Sequence, residues 1–165
     1  SGDDNSLTTL KDIDPGFEIG STIAYEFIDN LSAEIGIETG LTDIGDERKI
    51  SLGIVHNKSV WVDFMKPLIN RASITTTYAN SEWMDTWFST PSNSKYSLYN
   101  ADSGFYNYKL SNMTIIPAGE TISYFMSIEY ERLRGEASNS PLVKDQGSKN
   151  QYSFMLAIMF ELSKF

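Results

Sequence analysis

Residues 151–165 have the alternating pattern of a membrane-spanning β-strand. Every second residue from Tyr152 onward is large and apolar: Tyr152, Phe154, Leu156, Ile158, Phe160 and Leu162. The residues between them are Ser, Met, Ala, Met and Glu, so one face is lipid-like and the other is mixed. Strand side chains alternate between faces, and an outer-membrane strand crosses the hydrocarbon in roughly 9–11 residues. A half-buried strand of a soluble β-sandwich shows the same alternation, so the other strands must decide.

Six further segments alternate in the same way and are predicted to be strands. They are residues 17–27, 31–41, 60–65, 71–78, 105–116 and 121–133. Residues 50–54 also alternate, but they lie between charged stretches. We therefore expect an extended loop over residues 42–59 that contains at most a short strand. Tyr106, Tyr108 and Leu110 define the apolar side of the segment 105–116, and the irregular register after them predicts a β-bulge.

Short and long connections strictly alternate along this series of strands. Tight turns are expected at residues 28–30, 66–70 and 117–120, and long loops at residues 42–59, 80–104 and 135–148. Outer-membrane barrels have short turns on the periplasmic side and long loops outside, whereas a soluble sandwich has no reason to keep one end short. The pattern predicts an all-β fold, a transmembrane antiparallel β-barrel, with about seven spanning strands in this chain.

The number of strands indicates a part of a larger barrel. A bacterial single-chain barrel has an even number of strands. Counting residues 50–57 as a strand would give eight, but it would move the tight turn at residues 28–30 to the outside. We therefore expect residues 1–165 to be one domain, the C-terminal portion of a barrel whose N-terminal strands are absent.

Composition excludes several classes of function. The net charge of −9 and the scattered Lys and Arg residues argue against nucleic acid as a partner. The absence of cysteine excludes disulfides and thiolate metal sites, and a single histidine argues against a zinc or transition-metal centre. No cofactor is expected. The mean hydropathy of −0.28 excludes neither a soluble protein nor a barrel, because only alternate barrel residues face lipid.

Three stretches resemble the MipA/OmpV family of outer-membrane proteins. They are residues 10–20 (LKDIDPGFEIG), residues 83–88 together with 99–104 (YNADSG), and residues 130–143 (YERLRGEASNSPLV). Two features depart from the family: Ser163–Phe165 extends past the outward register that ends at Leu162, and the loop around Trp83 lacks the usual Tyr-Phe-Gly-Val. The resemblance implies about five more strands, for a barrel of about twelve.

The same resemblance implies a non-enzymatic role in the outer membrane. Family members scaffold peptidoglycan enzymes by coupling a murein hydrolase, a transglycosylase, to a peptidoglycan synthase, and others are linked to envelope stress, antibiotic response or adhesion. Outer-membrane lipid and lipopolysaccharide are the expected surroundings. The alternative is a porin-like channel for small solutes with a cation-preferring lumen. A soluble β-sandwich or lipid-binding domain is a third interpretation.

Eight carboxylates are predicted to face the barrel interior: Glu18, Glu26, Glu34, Glu38, Asp63, Glu129, Glu131 and Glu161. Few inward cations, such as Arg71 and Lys109, are expected beside them. The carboxylates would either favour cationic solutes or pair with arginines of absent strands in a plugged lumen. Acidic loop residues such as Asp43, Asp46 and Glu47 would bind divalent cations or simply be solvated.

Two further groups of residues are candidates for a functional site. The loop over residues 80–104 carries aromatic side chains that would form an external recognition surface, a lid or structural packing: Trp83, Trp87, Phe88, Tyr96 and Tyr99. His56 and Ser59 superficially suggest a lipid hydrolase. Such catalysis needs His and Ser within hydrogen-bonding reach on a lipid-facing wall, whereas both are predicted in a polar loop. No catalytic residue is therefore assigned.

Overall fold

Seven antiparallel strands form one sheet. The computed structural model describes residues 17–40, 47–61, 67–92 and 95–161. Each strand pairs with the next along the chain. The strands are β1 (Glu18–Ile28), β2 (Leu31–Gly40), β3 (Arg48–Val60), β4 (Leu68–Ala79), β5 (Gly104–Pro117), β6 (Ile122–Leu133) and β7 (Asn150–Phe160). The predicted all-β class is confirmed, and the sheet is an open meander consistent with a segment of a β-barrel.

β3 corrects the strand assignment from sequence. The predicted loop over residues 42–59 is wrong for Arg48–Val60, which pairs with β2 on one side and with β4 on the other. Val60 ends β3, Trp61 follows it outside any strand, and residues 62–65 lie outside the described part. The total of seven holds because β3 takes the place of the strand expected at residues 60–65. His56 and Lys58 break the apolar alternation, which made this strand resemble a loop.

The connections at the two ends of the sheet differ in length at two of the three places along the chain. Residues 29–30, 61–67 and 118–121 join strands at what we call the turn end. Residues 41–47, 80–103 and 134–149 join strands at the opposite end, the cap end. The turn at residues 29–30 closes tightly because Asn30 adopts a left-handed φ of 65°, which Asn tolerates better than most residues. The predicted strict alternation of tight turns and long loops is wrong for residues 41–47 and 61–67, which are seven residues each. The predicted difference holds for residues 29–30 and 118–121 against residues 80–103 and 134–149.

The two faces of the sheet differ in chemistry. The register aligns Ile23, Ile35 and Leu52 on one face, the apolar face, and places polar and charged side chains on the other, the polar face. On β7 the side chains of Phe154, Leu156, Ile158 and Phe160 are 61%, 65%, 56% and 68% exposed. Within the described residues, no second sheet or helix covers them.

The bulge predicted after Leu110 is wrong, and a register shift lies instead at the beginning of β5. The β4–β5 register shifts between Thr77 and Tyr78, whereas β5 pairs with β6 without interruption from Asn107 to Pro117. Because of this shift, Tyr106 leaves the apolar side on which the sequence placed it with Tyr108 and Leu110. Its ring packs 4.5 Å from that of Trp83.

The two longest connections fold into helices. They form α1 (Ser81–Phe88), α2 (Gly135–Asn139) and α3 (Pro141–Asp145), which corrects the prediction of irregular loops. The Asn80 side chain caps α1 by accepting the Trp83 N–H at 3.3 Å, and the Ser140 side chain caps α3. None of the helices in the described ranges is long and apolar enough to cross a membrane.

These helices and adjoining residues form a small core at the cap end, which we call the cap. Its buried members are Ala79, Trp83, Met84, Phe88, Ala101, Leu133 and Ala137. The Ser140 hydroxyl joins the two connections by donating to the Phe88 carbonyl at 2.6 Å. The cap is therefore a packed unit at one end of the polar face.

Candidate functional site

The polar face contains a cleft of about 390 Å³. Its walls carry charged, amide and hydroxyl side chains, with one aromatic ring: Glu38, Lys49, Ser51, Arg71, Ser73, Thr75, Thr77, Tyr106, Asn107, Lys109, Ser111, Glu129 and Glu131. The side chains come from β2 to β6, and they share one face because strand residues two positions apart point the same way. The volume is in the range of small-molecule sites, but the lining is far more polar than is usual for them.

Six of the eight predicted inward carboxylates lie on the polar face. Their positions follow from the register of β1, β2 and β6: Glu18, Glu26, Glu34, Glu38, Glu129 and Glu131. Glu161 follows β7, and its N–H donates to the Thr121 carbonyl at 2.8 Å. Asp63 lies outside the described residues. Whether this face lines a lumen stays a prediction.

Three cations on the polar face pair with these carboxylates. Lys49 Nζ lies 3.0 Å from Glu18 Oε2 and 2.8 Å from Glu38 Oε2. Arg71 Nη2 donates to both oxygens of Glu34, at 3.0 and 2.8 Å. The partners of these carboxylates are supplied by strands β3 and β4 of this chain.

The third pair is looser. Lys109 Nζ lies 3.5 Å from Glu129 Oε2, and both side chains are more than a third exposed. Glu131 instead accepts a hydrogen bond from Asn107 Nδ2 at 2.6 Å. Lys109, Glu129 and Glu131 are thus the charged groups of the cleft with most remaining capacity to bind a solute.

Sequence reasoning missed Lys49. The residue was assigned to a loop, yet it is on β3, and its ammonium group lies 5.6 Å from the centre of the Trp83 ring. The alternation of Ile50, Leu52 and Ile54 was the signal that could have placed Lys49 on the opposite face. Its contact with Trp83 joins the polar face to the cap.

Four of the five aromatic residues of the predicted recognition loop are buried or packed against the cap core. Trp83, Phe88 and Tyr96 are 8%, 9% and 7% exposed. Tyr99 packs against the cap core, whereas Trp87 is 46% exposed. Structural packing accounts for these buried rings. A recognition role stays a prediction, and Trp87 offers the largest accessible surface of the five for it.

Comparison with known proteins identifies the family. A family model described as "MltA-interacting protein MipA" matches residues 1–162. The chain belongs to this family. The match covers nearly the whole chain and confirms the resemblance seen in residues 10–20, 83–104 and 130–143. No curated protein and no solved structure matches.

The cap of this MipA-family chain contains one strong side-chain hydrogen bond. The Tyr99 hydroxyl donates to the Glu136 carboxylate, and it also lies 2.8 Å from the Glu136 carbonyl oxygen. Burial raises the pKa of Tyr99 above its ordinary value, and the hydrogen bond to Glu136 raises it further. The contact ties residues 80–103 to α2.

His56 lies on β3, which corrects its placement in a polar loop. Its cross-strand partners are Leu31 on β2 and Ala72 on β4. The next residue on the same face of β3 is Lys58, and Ser59 points to the opposite face. The nearest positions on its face therefore carry no hydroxyl that His56 could activate.

The acidic loop residues give little further information. Asp43 and Asp46 lie outside the described residues, and Glu47 is 9% exposed. Within the described ranges, no group of three or more His, Asp or Glu side chains could hold a metal ion.

Proposed function

We propose that this chain is an outer-membrane β-barrel protein that acts as a non-enzymatic scaffold for peptidoglycan-remodelling enzymes. Membership of the MipA family supports a cell-envelope location and a murein enzyme as partner, since the family description reads "MltA-interacting protein". A peptidoglycan synthase is the second partner that a scaffold of this kind would hold.

The observation that carries the membrane assignment is the exposed apolar face. Ile23 on β1 is 75% exposed, Ile74 on β4 is 60% exposed and Leu156 on β7 is 65% exposed. Such a contiguous apolar surface is far larger than monomeric soluble proteins expose. Hydrocarbon would cover it without leaving backbone groups of β2 to β6 unpaired, because each of these strands is paired on both sides. The outer edges of β1 and β7 pair with no described strand and would have to be paired in a closed barrel.

The difference between the two ends supports an orientation. In outer-membrane barrels the short connections face the periplasm and the long ones face outward. The turn end, with residues 29–30 and 118–121, would then face the murein layer, and the cap would face outward. A periplasmic partner would reach the protein at the turn end.

The surroundings of His56 support a non-enzymatic role. Leu31, Ala72 and Lys58 are its neighbours on the apolar face, so the arrangement lacks the nucleophile that a lipid hydrolase needs. The cation-preferring channel is the second candidate. The cleft walls carry three carboxylates and three cations, but the described polar face as a whole carries six of the predicted carboxylates against these three cations.

Epitope insertions at the two ends test the scaffold and its orientation together. An epitope at Gly119, in a turn-end connection, should remain inaccessible to antibody on intact cells and should abolish capture of a murein transglycosylase from detergent-solubilised envelopes. The matched insertion at Gly147, in the cap-end connection, should be labelled on intact cells and should leave capture unchanged. Equal capture by both insertion variants would contradict docking at the turn end.

A further inference from the structure

Charges on the polar face are sorted by strand. The three cations lie on the adjacent strands β3, β4 and β5: Lys49, Arg71 and Lys109. The six described carboxylates lie on β1 and β2 to one side and on β6 to the other. Neighbouring strands are about 4.8 Å apart, so a positive stripe runs between two negative stripes.

This separation creates an electric field across the cleft rather than a uniform potential. Opposite charges on the cleft walls are equal in number, with Glu38, Glu129 and Glu131 facing the three cations. For a simple cation, the attraction to the carboxylates on one wall is offset by repulsion from the positive stripe. A solute that carries both charges can place each beside its opposite.

The charged groups with most remaining capacity to bind a solute lie on β5 and β6. The Arg71 guanidinium binds Glu34 through two short contacts, and Lys49 is held between two carboxylates. The Lys109–Glu129 separation of 3.5 Å is the longest of the described pairs, and the described contact of Glu131 is a hydrogen bond from the amide of Asn107. An incoming carboxylate can therefore meet Lys109 while an incoming ammonium meets Glu131.

Hydroxyl groups cover the cleft floor between the charges. Ser73 Oγ and Ser111 Oγ are 2.6 Å apart, and Ser51, Thr75 and Thr77 line the same surface. A hydroxyl can donate or accept, so this floor can bind the amide and carbonyl groups of a peptide alike. At the cap end the cleft meets Tyr106, which packs against Trp83.

We propose that the polar cleft binds small zwitterionic solutes of the amino acid or short peptide class, with Lys109 receiving the carboxylate and Glu129 and Glu131 receiving the ammonium. This site is independent of the scaffold role, because its residues lie on the polar face between the strand ends and not on the turn-end connections.

Three dipeptide probes of matched size test the proposal. Purified protein in detergent is titrated by calorimetry with L-alanyl-L-alanine, its C-terminal amide and its N-acetyl derivative, which are a zwitterion, a cation and an anion at pH 7. The zwitterion should bind about tenfold more tightly than either singly charged probe, the ratio expected for one charge-assisted contact. Equal affinities, a preference for the amide, or no binding of the zwitterion would overturn the proposal.

Two variants assign the contacts. Lys109→Gln should weaken binding of the zwitterion about tenfold and make the cationic amide the better ligand, since Glu129 and Glu131 remain while the cation beside them is lost. Glu131→Gln should weaken the zwitterion and favour the acetylated anion. Lys58→Gln is the matched control, because Lys58 lies on the apolar face of β3. Unchanged selectivity in both cleft variants would remove these residues from the site, and the wild-type probe series decides the proposal even if a variant fails to fold.

Discussion

Arg71 illustrates how the polar face depends on single side chains. Its guanidinium reaches from β4 across β3 to Glu34 on β2 and contacts Asn57 on the way, at 3.4 Å. The Glu34 side chain is 17% exposed, whereas that of Arg71 is 37% exposed. Removing Arg71 would therefore destabilise the protein more than an exposed pair would, because the Glu34 carboxylate would be left shielded without its charged partner.

We expect Arg71→Met to lower the free energy of unfolding by about 1–2 kcal/mol, because Glu34 would remain shielded without a charged partner. Urea unfolding in lipid vesicles measures this change. Lys109→Met is the matched control, and its effect should stay below about 1 kcal/mol, since both side chains of that pair are more than a third exposed. The double variant Arg71→Met with Glu34→Gln should recover part of the loss. Equal losses for the two single variants would contradict the difference in shielding.

At the scale of elements, alternation in the sequence predicted most strands but failed in particular places. β1, β2, β6 and β7 have large apolar side chains at most positions of one face, which is why their positions agree with the structure to within a few residues. β3 does not, since His56 and Lys58 stand on its apolar face near the turn end. Because β3 was not predicted, Lys49 was not placed on the polar face, and the equal numbers of opposite charges in the cleft could not be predicted.

The helices of the cap were missed for a different reason. α1 has eight residues and α2 and α3 have five each, too few turns for a helical period to stand out. Local signals were present, with Asn80 before α1, and Ser140 followed by Pro141 at the start of α3. The cleft itself required the register of β2 to β6, which no local pattern contains.

Trp83 and Trp87 on α1 allow a direct test of the packing of the cap, because one is buried and the other is exposed. Trp83 is 8% exposed and packs on Tyr106 and Phe88, whereas Trp87 is 46% exposed on the same helix. Trp83→Ala should destabilise the cap by about 3 kcal/mol through lost burial and an unfilled cavity, and residues 80–103 should become sensitive to limited proteolysis. Trp87→Ala should leave the digestion pattern close to that of the wild type. Similar sensitivity in both variants would contradict this packing.

The Tyr99–Glu136 contact predicts that the cap weakens at high pH. The pKa of Tyr99 in the folded protein lies above its ordinary value near 10, so the protonated hydroxyl contributes stability that is complete below pH 10 and declines as the pH rises above it. Limited proteolysis of residues 80–103 at pH 8 and pH 11 should show the loss in the wild type. In Tyr99→Phe, residues 80–103 should already be more sensitive to proteolysis at pH 8, and this sensitivity should change less between the two pH values. An equal pH response in both proteins would assign the effect to another group.

The whole molecule is a sheet whose two exposed faces should respond differently to the same charge. Leu156 and Met155 are neighbours on β7, and their side chains are 65% and 58% exposed on opposite faces. A protein surrounded by water on both sides would tolerate arginine equally at the two positions. A sheet with lipid on its apolar face would not, because only Leu156 would place the guanidinium in hydrocarbon.

We expect Leu156→Arg to lower the free energy of unfolding in lipid vesicles by about 2–4 kcal/mol, the range measured for arginine on the lipid-facing surface of barrels near the bilayer midplane. Met155→Arg should change it by less than about 0.5 kcal/mol, since that side chain stands on the polar face opposite Ser127. Reversible urea titrations of both variants, followed by tryptophan fluorescence, give the two values under one set of conditions. Equal losses of unfolding free energy for the two variants in vesicles would reject the membrane assignment, because exposure alone does not separate these two positions.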